Sequence, residues 1–326
     1  MVKPSAPELS IVLVVHRDSE SLREVLRRVC GQSVSSQMEF VLVARSRKDV
    51  GNASETLKGL LCSKIVEVGR SKSEGEAKAA GVRAARAPLV LFLEDHSFPE
   101  KRCAENLILA HRRDDFAVVG PVMQNASPIN GVSWGCFLVF YSAYMWVRPA
   151  NEVRHLPANQ SCYRRDLLLE YGSRLPDMLD AEAVLHQDLL ARGHRLGQEP
   201  SARVYHRNVA PVGSVLWEYF LASRVFAAER ASGWGSARRA VYTVGSPLLP
   251  LIRTPRILRD TRRAELDRSI LPRALAAVLL ILCAGAAGEM LGYALGAGRA
   301  KDKLVQYERE RAGAFSARNL EALSRL

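Results

Sequence analysis

Two rhythms of apolar and polar positions alternate over the first 120 residues. Short, largely apolar runs at Leu9–Val15, Met38–Val43, Lys64–Val68, Leu89–Leu93 and Phe116–Val119 predict strands. Between them the apolar positions fall three and four apart. In Ser19–Cys30 they are Leu22, Val25, Leu26 and Val29, with Ser19 placed to cap the helix and Gly31 to stop it. Similar spacing predicts helices over Glu55–Leu61, Gly75–Arg86 and Glu100–Arg113. Repeated strand–helix units of this length imply an α/β fold, with a mostly parallel sheet covered on both faces.

Candidate chemistry enters where the fourth strand stops. Pro88-Leu-Val-Leu-Phe-Leu runs straight into Glu94, Asp95 and His96. Open α/β sheets place their ligands outside the carboxyl ends of their strands. Two acids and an imidazole there can hold a divalent ion, which neutralises phosphate charge, or a ribose. A solvated loop after a strand is the plainer alternative.

Four stretches in this order carry a family likeness. They are Ile11-Val-Leu-Val-Val-His16-Arg17 with Gln32, the Glu94-Asp95-His96 strand end, Pro157-Ala-Asn159-Gln-Ser-Cys-Tyr-Arg164-Arg165, and Leu179-Asp180-Ala-Glu182 through Gly193 and on to His206. Together the chain resembles the family 2 glycosyltransferases of the GT-A fold over roughly 200 residues. The resemblance implies a nucleotide-sugar donor, inversion at the anomeric carbon and a divalent metal, Mn²⁺ or Mg²⁺. It places His16, Arg17, Lys78, Glu94 and Asp95 on the donor side and Asn159 and Arg164 on the acceptor side. Asp95, His96 and His206 become metal ligands. Glu182 becomes the catalytic base, with Asp180 as its rival. Each assignment has a structural alternative: Lys78 as a solvated helix charge, Glu182 as a first-turn acid favoured by the helix dipole, Asp180 as a helix cap, His206 as a packed strand end. The chain departs from the family where its second strand ends in Ala44-Arg45 rather than in acids. It departs again at His96, because an imidazole suits Mn²⁺ better than Mg²⁺.

Charge bears on the partner. Forty-six basic against 34 acidic residues give +12. Arg253, Arg256, Arg259, Arg262, Arg263, Arg268 and Arg273 concentrate part of the excess. No stacking aromatics interleave with them and no nucleic-acid-binding signature is present, so the chain reads as a binder of anionic lipid rather than of nucleic acid. The six cysteines show no CxxC spacing, which predicts buried thiols in a reducing compartment. The N-terminus reads as a strand rather than a signal peptide.

The lipid reading gains weight just downstream. Ala274–Gly298 carries one charge, Glu289, and is long enough for a bilayer-crossing helix; a buried soluble helix is the alternative. Glu289 is expected to face a partner, an interface or a protein groove. The arginine-rich flank places the N-terminal side in the cytosol. The aromatic stretch Val132–Val147 reads first as core and second as an entry for a lipid-linked acceptor. Ser214–Arg230 reads as an amphipathic connector and Val241–Ile252 as an interfacial segment.

The expected organisation is a GT-A domain over 1–232, an amphipathic, Arg-rich membrane-interface segment over 233–273, a transmembrane or membrane-embedded helix over 274–298, and a charged helical tail over 299–326, solvated or peripheral. The expected function is a membrane-anchored glycosyltransferase of hexosyltransferase type at the inner or plasma membrane, with a cytoplasmic catalytic domain and a lipid-linked or envelope glycan acceptor. A catalytically degenerate scaffold and a sugar-nucleotide-binding protein are the competing readings.

Overall fold

The structure is a computed structural model that describes residues 6–52, 63–127, 130–146, 152–157, 159–208 and 211–314. Its centre is a sheet in the order β3-β2-β1-β4-β8-β6-β9-β5. The strands are β1 Leu9–Val15, β2 Met38–Ala44, β3 Ser63–Glu67, β4 Leu89–Leu93, β5 Ser97–Pro99, β6 Phe116–Asn125, β7 Glu152–Val153, β8 Cys162–Arg164 and β9 Arg195–His206. β7 pairs with β9 beside this path.

The half formed by β3, β2, β1 and β4 is parallel throughout. Its strands are apolar on both sides because both sides are covered. Ile11, Leu13 and Val15 of β1 pack into one core with Leu22, Val25, Leu26 and Val29 of helix Glu20–Cys30. Val12 turns to the other core, with Ala77, Ala79 and Val82 of helix Glu74–Ala84. Ser19 caps the first helix, its side chain accepting from Leu22 N. The other half departs from the parallel pattern. β8 runs antiparallel to both β4 and β6, and β5 antiparallel to β9, while β6 and β9 are parallel. β6 also extends to Asn125, well past the predicted Val119. The predicted helix Glu55–Leu61 lies outside the described residues.

Gly131–Tyr141 is a helix, and Phe137 and Leu138 are fully buried in it, so the aromatic stretch is core. Helix Val212–Arg230 is not amphipathic in the expected sense. Val215, Tyr219, Leu221, Ser223, Val225 and Ala227 are buried on several of its sides, because other helices flank it. Ser236–Gly245 and Leu249–Arg263 follow. Helix Ile270–Leu295 is about 39 Å long at 1.5 Å per residue. Length and apolar composition would let it cross a membrane. Its small residues lie flush against helix Val212–Arg230: a Cβ on Gly288 would stand 2.2 Å from the Phe220 carbonyl oxygen. Glu289 on this helix is buried and accepts from Tyr293 Oη at 3.3 Å, so it does face a partner. The chain then turns through Gly296 and Gly298, both at positive φ, into a last helix, Ala300–Ala314.

Candidate active site

The carboxyl ends of β1, β4 and β9 open into one cavity of about 370 Å³. His16 follows β1, Glu94, Asp95 and His96 follow β4, and His206 ends β9. Helix Glu74–Ala84 contributes Glu74 and Lys78 from its first turns, and helix Glu182–Ala191 contributes its first residue.

At one end Glu94, His96 and His206 bring one ligand atom each within 4.8 Å of one another. Glu94 Oε2 is 3.1 Å from His206 Nε2 and 3.7 Å from His96 Nε2. Both other ring nitrogens are engaged: His96 Nδ1 with Asp95 Oδ1 at 2.8 Å, and His206 Nδ1 with Asn208 Oδ1 at 3.2 Å. Both Nε2 atoms are thus turned toward Glu94. Burial, reinforced by the Arg311 cation, lowers His96 to about 4, so its imidazole is neutral. A neutral imidazole oriented by a carboxylate is the usual form of a histidine metal ligand. Glu94, His96 and His206 are thus grouped as a set that could hold a metal ion, whereas the sequence reading named Asp95, His96 and His206. Asp95 is buried beside Glu94 and also lines the cavity, with its Oδ1 on the His96 ring.

Glu182 stands at the other end. Its Oε1 is 3.0 Å from Lys78 Nζ, and its Oε2 accepts from Asn159 N at 3.2 Å. Asn159 adopts a left-handed backbone at φ 65°, which asparagine tolerates better than most residues. From there its Nδ2 donates to Glu94 Oε1 at 2.7 Å, and its Oδ1 accepts from Lys78. One side chain thus links the two ends. Burial raises the Glu182 carboxyl, with Glu94 adding to it and Lys78 opposing. Lys78 is itself raised: burial disfavours its charge, but Glu182 and Glu74 outweigh that. Lys78 is 6% exposed, so it is not a solvated helix charge. Beside it Glu74 Oε2 lies 3.2 Å from His16 Nε2. Burial opposes protonation of His16, yet the Glu74 carboxylate prevails and raises it to about 8.

Asp180 lines the same cavity but caps nothing on the helix after it, whose N-cap is Ala181. Its Oδ1 accepts from Gly75 N at 2.6 Å, at the start of helix Glu74–Ala84, and Lys301 Nζ is 3.0 Å from its Oδ2. Burial raises the Asp180 carboxyl in spite of Lys301.

Two sequence-derived assignments fall outside the cavity. Arg17 is exposed. Arg164 pairs with Asp166 at 2.8 Å and Asp115 at 3.3 Å. The reason is register: antiparallel β8 sets Arg164 opposite Leu89. That is the start of β4, five residues or ~17 Å from the Glu94 end.

The cavity also takes residues that the pattern of the chain did not flag. Glu74 sits one residue after the Ser73 cap, and Asn208 two residues after His206. One face of the described tail helix is turned inward: Lys301, Leu304, Glu308 and Arg311 all line the cavity, while Asp302, Lys303 and Glu310 are exposed. Their 301, 304, 308, 311 spacing is one helical face, a signal present in the sequence.

The sequence pattern of glycosyl transferase family 2 matches residues 10–172, half of the chain. The chain belongs to this family. Among solved structures it is similar to GalNAc-T7 with UDP, GalNAc and Mn²⁺, at TM-score 0.52 and 12% identity. The match covers 75% of this chain and 51% of that one, so it spans about half that protein's length and shows the fold. It is also similar to the mannosyltransferase PcManGT from Pyrobaculum calidifontis with GDP-Man and Mn²⁺, at TM-score 0.49 and 18% identity, covering 98% of this chain and 88% of that one. No curated protein matches the chain. For this family 2 glycosyltransferase the matched segment includes β1, β4 and Asn159. Asp180, Glu182, His206 and the tail lie beyond it.

Proposed function

We propose that the protein moves a sugar, of hexose type, from a nucleotide-sugar donor to an acceptor hydroxyl with inversion. The observation that carries this reading is the pairing of ends within one cavity, a Glu94–His96–His206 cluster facing a Glu182–Lys78 pair across Asn159. Transfer asks for three things: neutralisation of the leaving diphosphate, a base for the acceptor proton, and alignment of the two. Glu94, His96 and His206 would hold a divalent ion, with Asp95 orienting His96. Two imidazoles favour Mn²⁺ over Mg²⁺. Such an ion supplies charge neutralisation at the diphosphate when bound. His16 and Lys78 line the cavity as cations available to the donor. Glu182 takes the acceptor proton, its raised carboxyl making it a stronger base than a solvated one. Asn159 holds Glu182 and Glu94 in fixed relation. The UDP and Mn²⁺ of the similar GalNAc-T7 structure agree with this donor class.

The acceptor reading is a lipid-linked or envelope glycan. Phe140, Tyr141, Tyr144 and Phe226 give the cavity an aromatic side. On the molecule's surface Val244 is 80%, Leu251 73% and Val241 69% exposed. They sit on helices packed against Ile270–Leu295, whose own Leu279, Leu280 and Leu295 are exposed. The arginine cluster borders this apolar surface, a composition that suits an anionic bilayer face. We read residues 233–298 as a membrane-embedded unit of the inner or plasma membrane, carrying a cytoplasmic catalytic domain over residues 1–232. The helix Ile270–Leu295 then lies along the domain, because the tail beyond it returns to the catalytic cavity.

The scaffold reading is favoured by one feature: the second strand ends in Ala44-Arg45, without the acids that the resemblance places there. A thermal-shift panel of nucleotide sugars with and without Mn²⁺ separates the two. A donor that binds only the native state raises the midpoint by mass action. Release of nucleoside diphosphate then marks an enzyme, and binding without turnover marks a scaffold or binding protein.

A further inference from the structure

The tail helix Ala300–Ala314 forms one wall of the cavity through Lys301, Leu304, Glu308 and Arg311, and groups of the site hold it near both ends. Lys301 Nζ lies 3.0 Å from Asp180, 2.8 Å from Asp177 and 2.9 Å from Glu229. Ten residues on, ~15 Å along the helix, Arg311 is 8% exposed and packed beside the histidine cluster. Its Nη2 is 3.4 Å from His96 Nδ1, its Nη1 is 3.5 Å from Glu218, and it pairs with Glu308. Tyr307 Oη donates to Glu218 at 3.0 Å. Glu308 itself lines the cavity beside the Arg311 cation, and burial raises its carboxyl to about 8 although Arg311 opposes this. The connection to the hydrophobic helix runs through Gly296 at φ 75° and Gly298 at φ 52°, a backbone that only glycine adopts freely.

We propose that this helix is a self-made latch. It competes with the anionic donor for the cavity and covers the base end, and it must swing out on the Gly296–Gly298 hinge for turnover. The inference rests on the donor reading above. Its physical basis is occupancy: Leu304 and Glu308 fill cavity space, Glu308 takes up the Arg311 guanidinium that a diphosphate would use, and Lys301 holds the Asp180 side shut. A chain open only part of the time binds donor with an apparent affinity reduced by the open fraction. Coupling is reciprocal, so the donor must also expel the latch.

The test uses the full chain and the Lys301→Glu variant, in which three carboxylates repel the new side chain. Probes are UDP and GDP with Mn²⁺, followed by calorimetry, and tryptic cleavage after Lys303 and Arg309, followed by mass spectrometry. The expected result has three parts. Tail cleavage is faster in the variant, nucleotide affinity is ~10-fold higher in it, and nucleotide speeds tail cleavage in the wild type. Asp177→Asn, which removes one surface partner of Lys301, gives the same changes to a smaller degree and guards against misfolding of the first variant. Equal or weaker nucleotide affinity in both variants, or protection of the wild-type tail by nucleotide, overturns the latch and makes the helix a lid that helps to hold donor. Faster tail cleavage with no nucleotide bound by any form removes the donor reading, and the competition with it.

Discussion

Asp95 Oδ1 lies 2.8 Å from His96 Nδ1, on the side of the ring away from the Nε2 that faces Glu94 Oε2 at 3.7 Å. On the proposed metal reading, Asp95 positions a ligand, while Glu94 and His206 would supply ligand atoms directly. Removing an outer partner of this kind typically costs ~10–100-fold in metal affinity. Asp95→Asn should lower Mn²⁺ affinity within that range, whereas Glu94→Gln and His206→Ala should abolish specific binding. Electron paramagnetic resonance titration of Mn²⁺ reads all three. Asp95→Asn as damaging as Glu94→Gln would put Asp95 among the ligands themselves.

The two carboxylates of the base end are separable. Glu182→Gln keeps the shape and can still accept from Asn159 N, but takes no proton. Loss of a general base costs ~10²–10⁴-fold in rate. Asp180→Asn keeps an oxygen for Gly75 N and loses only the charge opposite Lys301. Its turnover should stay near wild type or rise, since the latch is loosened. Single-turnover rates under saturating donor decide it. Near-normal Glu182→Gln beside inactive Asp180→Asn would move the role to Asp180.

The His16–Glu74 pair makes stability depend on pH. Raised from 6.5 to about 8, His16 binds its proton more tightly in the folded chain. That contribution is complete below pH ~6.5, where both states are protonated, and disappears as pH rises through 8. A shift of this size corresponds to ~2 kcal/mol. The wild-type advantage over His16→Gln in urea unfolding should therefore shrink by about that amount between pH 6 and pH 9. A difference that does not change with pH over this range would mean that His16 is not protonated beside Glu74.

Most of what the sequence announced depends on local rules. Ser19 capped its helix and β4 ended at its polar tripeptide, because caps and strand ends are set by neighbours in the chain. What it withheld depends on partners far away. Arg164 looked close to Asn159 in sequence, yet an antiparallel strand carries it to the far end of β4. The choice between Glu94 and Asp95 turns on which way two adjacent side chains point, and that is fixed by Asn159, Gln160 and His206 from other elements. The tail's charges read as a solvated or peripheral helix. Only the fold shows that Asp180, Glu218 and His96 are waiting opposite one of its faces.

The apolar surface of residues 241–252 gives a prediction about the bilayer. Val244→Glu with Leu251→Glu changes two of its most exposed apolar positions and touches no part of the cavity. Cosedimentation with phosphatidylglycerol vesicles should fall sharply in this double variant. In the wild type, 1 M salt should weaken the arginine contribution, worth ~1 kcal/mol per residue near the surface, and leave the apolar part. Undiminished vesicle binding by the double variant would place the membrane contact elsewhere.

Gly288 ties the hydrophobic helix to the catalytic domain. Gly285, Gly288 and Gly292 share one face of Ile270–Leu295, and helix Val212–Arg230 lies against all three. At Gly288 the nearest neighbour of an added Cβ is a backbone oxygen, that of Phe220, at 2.2 Å, which cannot turn aside as a side chain would. The two helices must separate, and overpacking of this kind typically costs ~1–3 kcal/mol. Gly288→Val should therefore lower the thermal midpoint by several degrees. Gly213, whose Cβ position is open, supplies the control: Gly213→Ala should be neutral or gain up to ~1 kcal/mol of helix propensity. Separation also moves the anchor point of the tail, so Gly288→Val should expose Lys303 and Arg309 to trypsin without altering a single charge. A variant as stable as wild type would mean that the hydrophobic helix does not pack on Val212–Arg230, and that its small residues serve contacts within the membrane instead.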